Sequence, residues 1–275
     1  MAFRVTRDGA GPLSYEQTRR YPAPTPGVRL QGDDWWELVR AYALVLHPLT
    51  AFSHVTAASI LNLSLPREHQ QSRPLHVTTD TDGHAGQRAG LTWHHRRLDP
   101  AQVIPWSGTF VTSPLRTWRD LAALLTVDDL VIVADELLQR GMCTQKELRQ
   151  TAGLRHARPL RKAAEHARSG SLSPQETRLR LNATRRGLPE PTLNEDIIED
   201  GIWIGCGDLV WRPWRVIADY DGLHHDDPRQ RHQDAQTRDD YTAAGWRHVA
   251  VTKKMTDDDA VERIERALRE RGWRT

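Results

Sequence analysis

The chain has 275 residues, of which 38% are hydrophobic, and its 38 Lys and Arg against 36 Asp and Glu give a formal net charge of +2. This length predicts two domains, each able to form a core without disulfide staples. No apolar run is long enough to span a membrane, and the N-terminal residues lack the apolar segment of a signal peptide. Cys143 and Cys206 lie far apart in the sequence, so we expect free thiols and a cytoplasmic location.

The first 150 residues show the apolar spacing of helices and the β-branched runs of strands. These patterns predict helices at 35–46, 53–63 and 129–138, and strands at 75–79 and 90–95. Arg116 and Asp120 are four residues apart, a spacing that predicts an ion pair on one face of a helix. This pair is therefore interpreted as structural.

A basic segment joins the two halves of the chain. Residues 149–186 contain ten Lys and Arg against only Glu165 and Glu176, a balance of 10 − 2 = +8. Such a block could line a phosphate backbone. An ordinary solvated helix and linker explains it equally well, so both interpretations stay open.

The C-terminal part begins with a helix-start signal. Ser173 is a capping residue and Pro174 occupies the first helical position. Glu176 then lies in the first turn, where it could serve a site or only complete a capping box. Further along, the sequence predicts a helix at 227–244, a strand at 247–252 and an amphipathic helix at 257–271.

A β-hairpin between these helices carries the main chemical signal. Strand-like residues on both sides of Arg212-Pro-Trp-Arg215 predict a four-residue turn. In that register Asp208 lies opposite Asp219, with side chains about 5 Å apart on one face. Asp221 follows two residues later and shares the face by strand alternation. Clustered carboxylates repel each other, so the hairpin predicts a divalent-cation site, although surface charge is the alternative.

The same residues resemble a known nuclease family. The C-terminal part is similar to very-short-patch-repair-like endonuclease domains of the PD-(D/E)xK, restriction-endonuclease-like superfamily. The matching segments are Ser173-Pro-Gln-Glu176-Thr-Arg-Leu-Arg, Gly187-Leu-Pro-Glu-Pro191, Asp208-Leu-Val-Trp, Asp219-Tyr-Asp-Gly222, His225, Asp234 and Gly245-Trp246. The resemblance implies an α/β (α+β) fold with a central mixed sheet flanked by helices in αβββαβ order, over residues 171–275.

The resemblance also implies residue roles. Asp208, Asp219 and Glu176 would hold Mg²⁺ or Mn²⁺, while His225 would assist proton transfer or hold a phosphate. DNA would be the substrate, cut in phage defence or repair. The family often has Glu at the position of Asp219, and the superfamily lysine is replaced by Asp221. We therefore carry a second hypothesis, a non-catalytic nucleic-acid-binding or antitoxin-like regulator that retains the fold.

A looser resemblance covers the smaller α+β domain expected at 1–150. Its segments Ser53-His-Val-Thr-Ala-Ala-Ser-Ile-Leu, Leu75-His-Val-Thr and Val111-Thr-Ser-Pro-Leu-Arg-Thr-Trp-Arg-Asp resemble AbiEi-type antitoxins. This resemblance implies a toxin–antitoxin role with a protein partner for the N-terminal domain. Residues 151–170 would form a basic helical linker. His94 is a weak candidate for any site, and the histidine-rich segment near 224–232 fits no structural zinc spacing.

Overall fold

The computed structural model describes residues 2–4, 20–80, 88–151, 153–221 and 228–274. It divides into two compact units, unit 1 with residues 1–133 and 142–162 and unit 2 with residues 134–141 and 163–275. Unit 1 is the longer of the two. The mixed α/β class expected from the sequence is confirmed. Among the described residues, no helix combines the length and apolarity needed to cross a membrane, and Cys143 and Cys206 are both free thiols.

The N-terminal half alternates short strands and helices. Its strands are β1 (Ala2–Arg4), β2 (Val28–Leu30), β3 (Thr50–Phe52), β4 (Leu75–Thr79), β5 (Leu91–His95), β6 (Val103–Trp106) and β7 (Thr109–Thr112). Its helices are α1 (Trp35–Ala43), α2 (His54–Ile60), α3 (Pro114–Leu121), α4 (Val127–Gln139), α5 (Gln145–Arg149) and α6 (Ala157–His166). The three helices and two strands expected from the sequence in this half are confirmed. Strands β1, β2, β3, β6 and β7 were not predicted, because strands of three or four residues give too little periodicity.

A five-stranded sheet forms the centre of unit 1, in the order β5-β4-β3-β7-β6. Strand β3 pairs antiparallel to β4 and parallel to β7, and β4 pairs parallel to β5. Leu75 and Val77 of β4 face a core that includes Val39 and Tyr42 of α1. Because side chains alternate along a strand, His76 and Thr78 face the opposite side of the sheet.

The ion pair expected within α3 is confirmed. Arg116 Nε lies 2.9 Å from Asp120 Oδ1, and the two side chains are 11% and 13% exposed. The guanidinium also donates to Gln102 Oε1 at 2.5 Å. This arginine is thus held in place by two acceptors from separate elements.

Unit 2 contains the helix and strand order expected for its fold class. The elements are α7 (Pro174–Arg185), β8 (Thr192–Glu199), β9 (Ile202–Trp211), β10 (Val216–Asp221), α8 (Pro228–Ala243), β11 (Arg247–Thr252) and α9 (Asp257–Glu270). The sheet order is β11-β10-β9-β8, with β10 and β11 parallel and the other pairs antiparallel. Helices α7 and α9 pack on one face of the sheet, and the residues of α8 that are described pack on the other.

A buried ion pair connects the first segment of unit 2 to helix α7. Arg180 Nη2 lies 2.9 Å from Asp135 Oδ2, and each side chain is only 1% exposed. The same carboxylate accepts from Thr177 Oγ1 at 2.8 Å and from the backbone N–H of Arg168 at 2.7 Å. Arg180 belongs to the basic run at 149–186, but it is buried and therefore serves the fold rather than a charged surface.

Removal of Asp135 should strongly destabilise unit 2. The substitution Asp135→Ala leaves the Arg180 guanidinium buried without its main counter-ion, and loss of one partner of such a pair costs about 3–5 kcal/mol. Glu262→Ala breaks a pair with Arg266 whose side chains are 59% and 66% exposed, so it should change stability by less than about 1 kcal/mol. Hydrogen exchange of unit 2 peptides measures both. Equal effects of the two substitutions would contradict this account.

Candidate active site

The hairpin formed by β9 and β10 has the register expected from the sequence. Its pairs are Val216 with Trp211, Ile217 with Val210 and Ala218 with Leu209. Residues 212–215 form the loop, with a 3₁₀ turn at Arg212–Trp214 and a left-handed residue, Arg215, at φ 51°. The next positions in this register are Asp208 and Asp219. The expected opposition of these two aspartates is therefore present at the end of the paired segment.

Beyond the pair of Ala218 with Leu209, the two carboxylates accept hydrogen bonds from the backbone of the opposite strand, in place of backbone carbonyls. The backbone N–H of Asp208 donates to Asp219 Oδ1 at 2.9 Å, and that of Tyr220 donates to Asp208 Oδ2 at 2.7 Å. On the other side of β9, the pairs Leu193–Leu209 and Glu195–Gly207 flank Asp208. Each aspartate is thus fixed by the backbone of the opposite strand, at a local interruption of the sheet.

Asp208 is the group most affected by this environment. Burial raises its pKa to about 7, and the negative charges of Asp219 and Glu176 act in the same direction. The hydrogen bond from the Tyr220 N–H opposes the shift but is outweighed. Near neutral pH this carboxyl therefore holds a proton part of the time, and a cation placed beside it would favour release of that proton.

Glu176 lies at the start of α7 and is 6% exposed. Its backbone N–H donates to Ser173 Oγ at 3.2 Å, so the expected helix cap is confirmed. Its Oε2 accepts from the backbone N–H of Leu172 at 2.8 Å and from Asn194 Nδ2 at 2.7 Å. The carboxylate therefore organises the helix start and the neighbouring strand β8, while its charge is close enough to raise the pKa of Asp208.

The structure adds a histidine that sequence reasoning missed. His248 Nε2 lies 2.9 Å from Asp219 Oδ2, and the imidazole is 10% exposed. Its ring stacks with Tyr241 at 5.7 Å. Strand 247–252 was expected, but only the parallel pairing of Ile217 with His248 brings this ring to Asp219. The imidazole orients the carboxylate from the side away from the hairpin pairing.

Tyr241 encloses the same region from helix α8. Its hydroxyl is buried without a hydrogen-bond partner among the described residues. Burial raises the pKa of this phenol, and the negative charges of Asp219 and Asp208 add to the effect. Gly205 has no side chain where a Cβ atom would lie 2.5 Å from the Tyr241 hydroxyl. A glycine on β9 is therefore needed to admit the tyrosine.

Two of the expected site residues, Asp221 and His225, lie partly or wholly outside the described residues. The backbone of Asp221 ends β10 and pairs with Thr252 of β11, while its side chain is outside the described set. His225 lies outside the described residues altogether. Their roles as catalytic residues remain predictions.

The carboxylates have the donor chemistry for Mg²⁺ or Mn²⁺, since oxygen ligands suit both ions and a carboxylate can accept more than one interaction. Within the described parts of the chain, however, the set of three His, Cys, Asp or Glu residues whose ligand atoms all lie within 4.8 Å of one another is His54, His76 and His94. The carboxylates of Asp208, Asp219 and Glu176 are not gathered that tightly. A cation at the hairpin aspartates therefore stays a prediction.

Comparisons with family models, curated proteins and solved structures find no match for this chain.

The raised pKa of Asp208 predicts a pH-dependent effect of Asp208→Asn. A folded pKa of about 7 against an ordinary value of 3.8 means that ionisation destabilises the fold. The stabilising contribution of the neutral carboxyl is complete below about pH 4 and is lost as the pH rises through 7. In chelator at pH 8, the neutral amide should raise the free energy of unfolding by about 2–4 kcal/mol. At pH 4 the variant and the parent should be similar.

Thermal unfolding across this pH range measures the difference. Asp200→Asn provides the control, because Asp200 is exposed in the turn between β8 and β9 and has a left-handed backbone, φ 52°, that asparagine accepts. The control should show no such trend. A stability difference for Asp208→Asn that is the same at pH 4 and pH 8 would contradict the assignment.

Proposed function

We propose that unit 2 is a metal-dependent DNA endonuclease that hydrolyses phosphodiester bonds, acting in phage defence or DNA repair. The observation that supports the proposal most directly is the opposition of Asp208 and Asp219, each bound by a backbone N–H of the other's strand. A protein gains little stability from two half-buried carboxylates whose negative charges repel each other. A bound cation would offset the repulsion between the two carboxylates.

Mg²⁺ or Mn²⁺ bound here would lower the pKa of a bound water and offset charge on the phosphoryl group. Asp208 and Asp219 would hold the ion, with Glu176 contributing negative charge nearby. His248 acts on Asp219 as a positioning residue through its 2.9 Å contact. By the resemblance, His225 would assist proton transfer or hold a phosphate, and Asp221 would be a further catalytic carboxylate.

The exposed arginines of unit 2 support a polyanionic substrate. Arg178, Arg185 and Arg186 of α7 and its C-terminal end are exposed, as is Arg168 just before this helix. Arginine side chains on a surface bind phosphate oxygens and favour association with nucleic acid. DNA is therefore the substrate that we propose.

The second candidate function is a DNA-binding regulator without catalysis. The contacts of Glu176 favour this regulator, because its Oε2 already accepts two hydrogen bonds, one from the Leu172 N–H and one from Asn194 Nδ2. The replacement of the superfamily lysine by Asp221 points the same way. In this case the AbiEi-like N-terminal domain would bind a protein partner, and unit 2 would contribute affinity for DNA alone.

The nuclease proposal predicts nicking of supercoiled DNA by the full chain in Mg²⁺ or Mn²⁺. Asp208→Asn should reduce the nicking rate by about 100-fold or more, because removal of a metal-binding charge removes transition-state stabilisation. The amide keeps an oxygen that can accept the Tyr220 N–H, so the hairpin should remain folded. Gel electrophoresis of plasmid over time measures the rate, and circular dichroism checks the fold.

The matched variant Asp200→Asn should nick DNA at the parent rate, because it makes the same chemical change at an exposed turn of the same sheet. Equal activity in Asp208→Asn and the parent would remove the site assignment. DNA binding that weakens with salt, without cleavage in either metal, would favour the regulator instead.

A further inference from the structure

Three histidines converge in unit 1, separate in sequence from the hairpin site. His76 lies on β4 and His94 on β5, on the face of the sheet opposite to Leu75 and Val77. In the parallel register Thr78 pairs with His94 and His76 pairs with Thr92, so the two histidines are diagonal neighbours. His54, the first residue of α2, stacks on His94 with ring centroids 3.6 Å apart.

The distances between ring nitrogens match those of ligands on one metal ion. His76 Nδ1 lies 3.0 Å from His94 Nε2, and the ligand atoms of all three residues lie within 4.8 Å of one another. Two nitrogens that are each about 2.0–2.1 Å from Zn²⁺ are about 3.0–3.4 Å apart at angles of about 90° to 110°. The pair on the strands already has this separation. The ring of His54 lies nearly parallel to that of His94, at 17°, so it would have to tilt for its nitrogen to point at the same ion.

The surroundings of His54 hold its ring in a fixed orientation. Ser53 precedes α2 but makes no side-chain cap to that helix; its hydroxyl instead lies 2.9 Å from His54 Nδ1. This contact leaves Nε2 of His54 as the nitrogen free to bind a metal, an arrangement common among metal-bound histidines. His54 also has a left-handed backbone, φ 52°, a conformation in which histidine is enriched among non-glycine residues.

Burial favours the neutral form of all three imidazoles, in which one ring nitrogen has no proton. Burial lowers the pKa of His54 to about 2 and that of His94 to about 4, and it also lowers the pKa of His76. Neutral imidazole is the form that binds a metal. Arg116, although paired with Asp120 at 2.9 Å, and Arg96 both still lower the pKa of His54.

We propose that His54, His76 and His94 bind one Zn²⁺ ion in unit 1 through three imidazole nitrogens. Imidazole ligands favour zinc and related transition metals over Mg²⁺, which prefers oxygen. Three protein ligands leave a coordination position for water, the composition of catalytic rather than structural zinc sites. This site is independent of the carboxylates at which the nuclease is proposed.

Titration of the full chain with Zn²⁺, in competition with a coloured chelator, tests the proposal. The parent should bind one equivalent at this site, and His76→Gln or His94→Gln should weaken that binding by about 100-fold or more. His95→Gln is the matched control, because His95 follows His94 on β5 but is exposed, and it should bind like the parent. His224→Gln with His225→Gln controls for the histidine-rich segment of unit 2.

X-ray absorption of the zinc-loaded parent supplies a second measurement that does not depend on variants folding. The proposal expects three imidazole ligands at about 2.0 Å. Failure of the parent to bind Zn²⁺, a spectrum without three imidazoles, or binding lost only in the 224–225 variant would each overturn it. None of these results depends on nuclease activity, so the two proposals fail separately.

Discussion

The buried pair of Asp135 and Arg180 is the interaction on which unit 2 depends. Two ionised groups that are each 1% exposed need further hydrogen bonds in the interior. Thr177 and the Arg168 N–H donate to the carboxylate, and Glu190 accepts from Arg180 Nη1. The pair ties residues 134–141 to helix α7, so this short segment belongs to the C-terminal unit. Because α7 also carries Glu176, the same interaction fixes where the glutamate stands relative to the sheet.

At the hairpin site, hydrogen bonds fix the positions of two aspartates whose negative charges repel each other. Backbone N–H groups hold Asp208 and Asp219 in place, which stabilises their ionised forms, but burial and mutual repulsion outweigh this effect at Asp208. His248 adds a partner for Asp219 from outside the hairpin, at 2.9 Å.

The two units present ligands of different chemical type. Unit 2 offers carboxylate oxygens, which suit hard cations such as Mg²⁺, whereas unit 1 offers three imidazole nitrogens, which suit zinc. The type of ligand atom in each unit therefore decides which ion that unit favours. Under the two proposals, each unit would bind its own metal.

The sequence by itself determined the features that are local along the chain. The symmetric loop around Pro213 and Trp214 sets the register that opposes Asp208 and Asp219, and Ser173 with Pro174 sets the start of α7. Only the tertiary structure decided which distant strands are neighbours. Parallel pairing brings His248 to Asp219 and His94 to His76, and sequence periodicity reports which face a residue occupies but not which strand lies beside it.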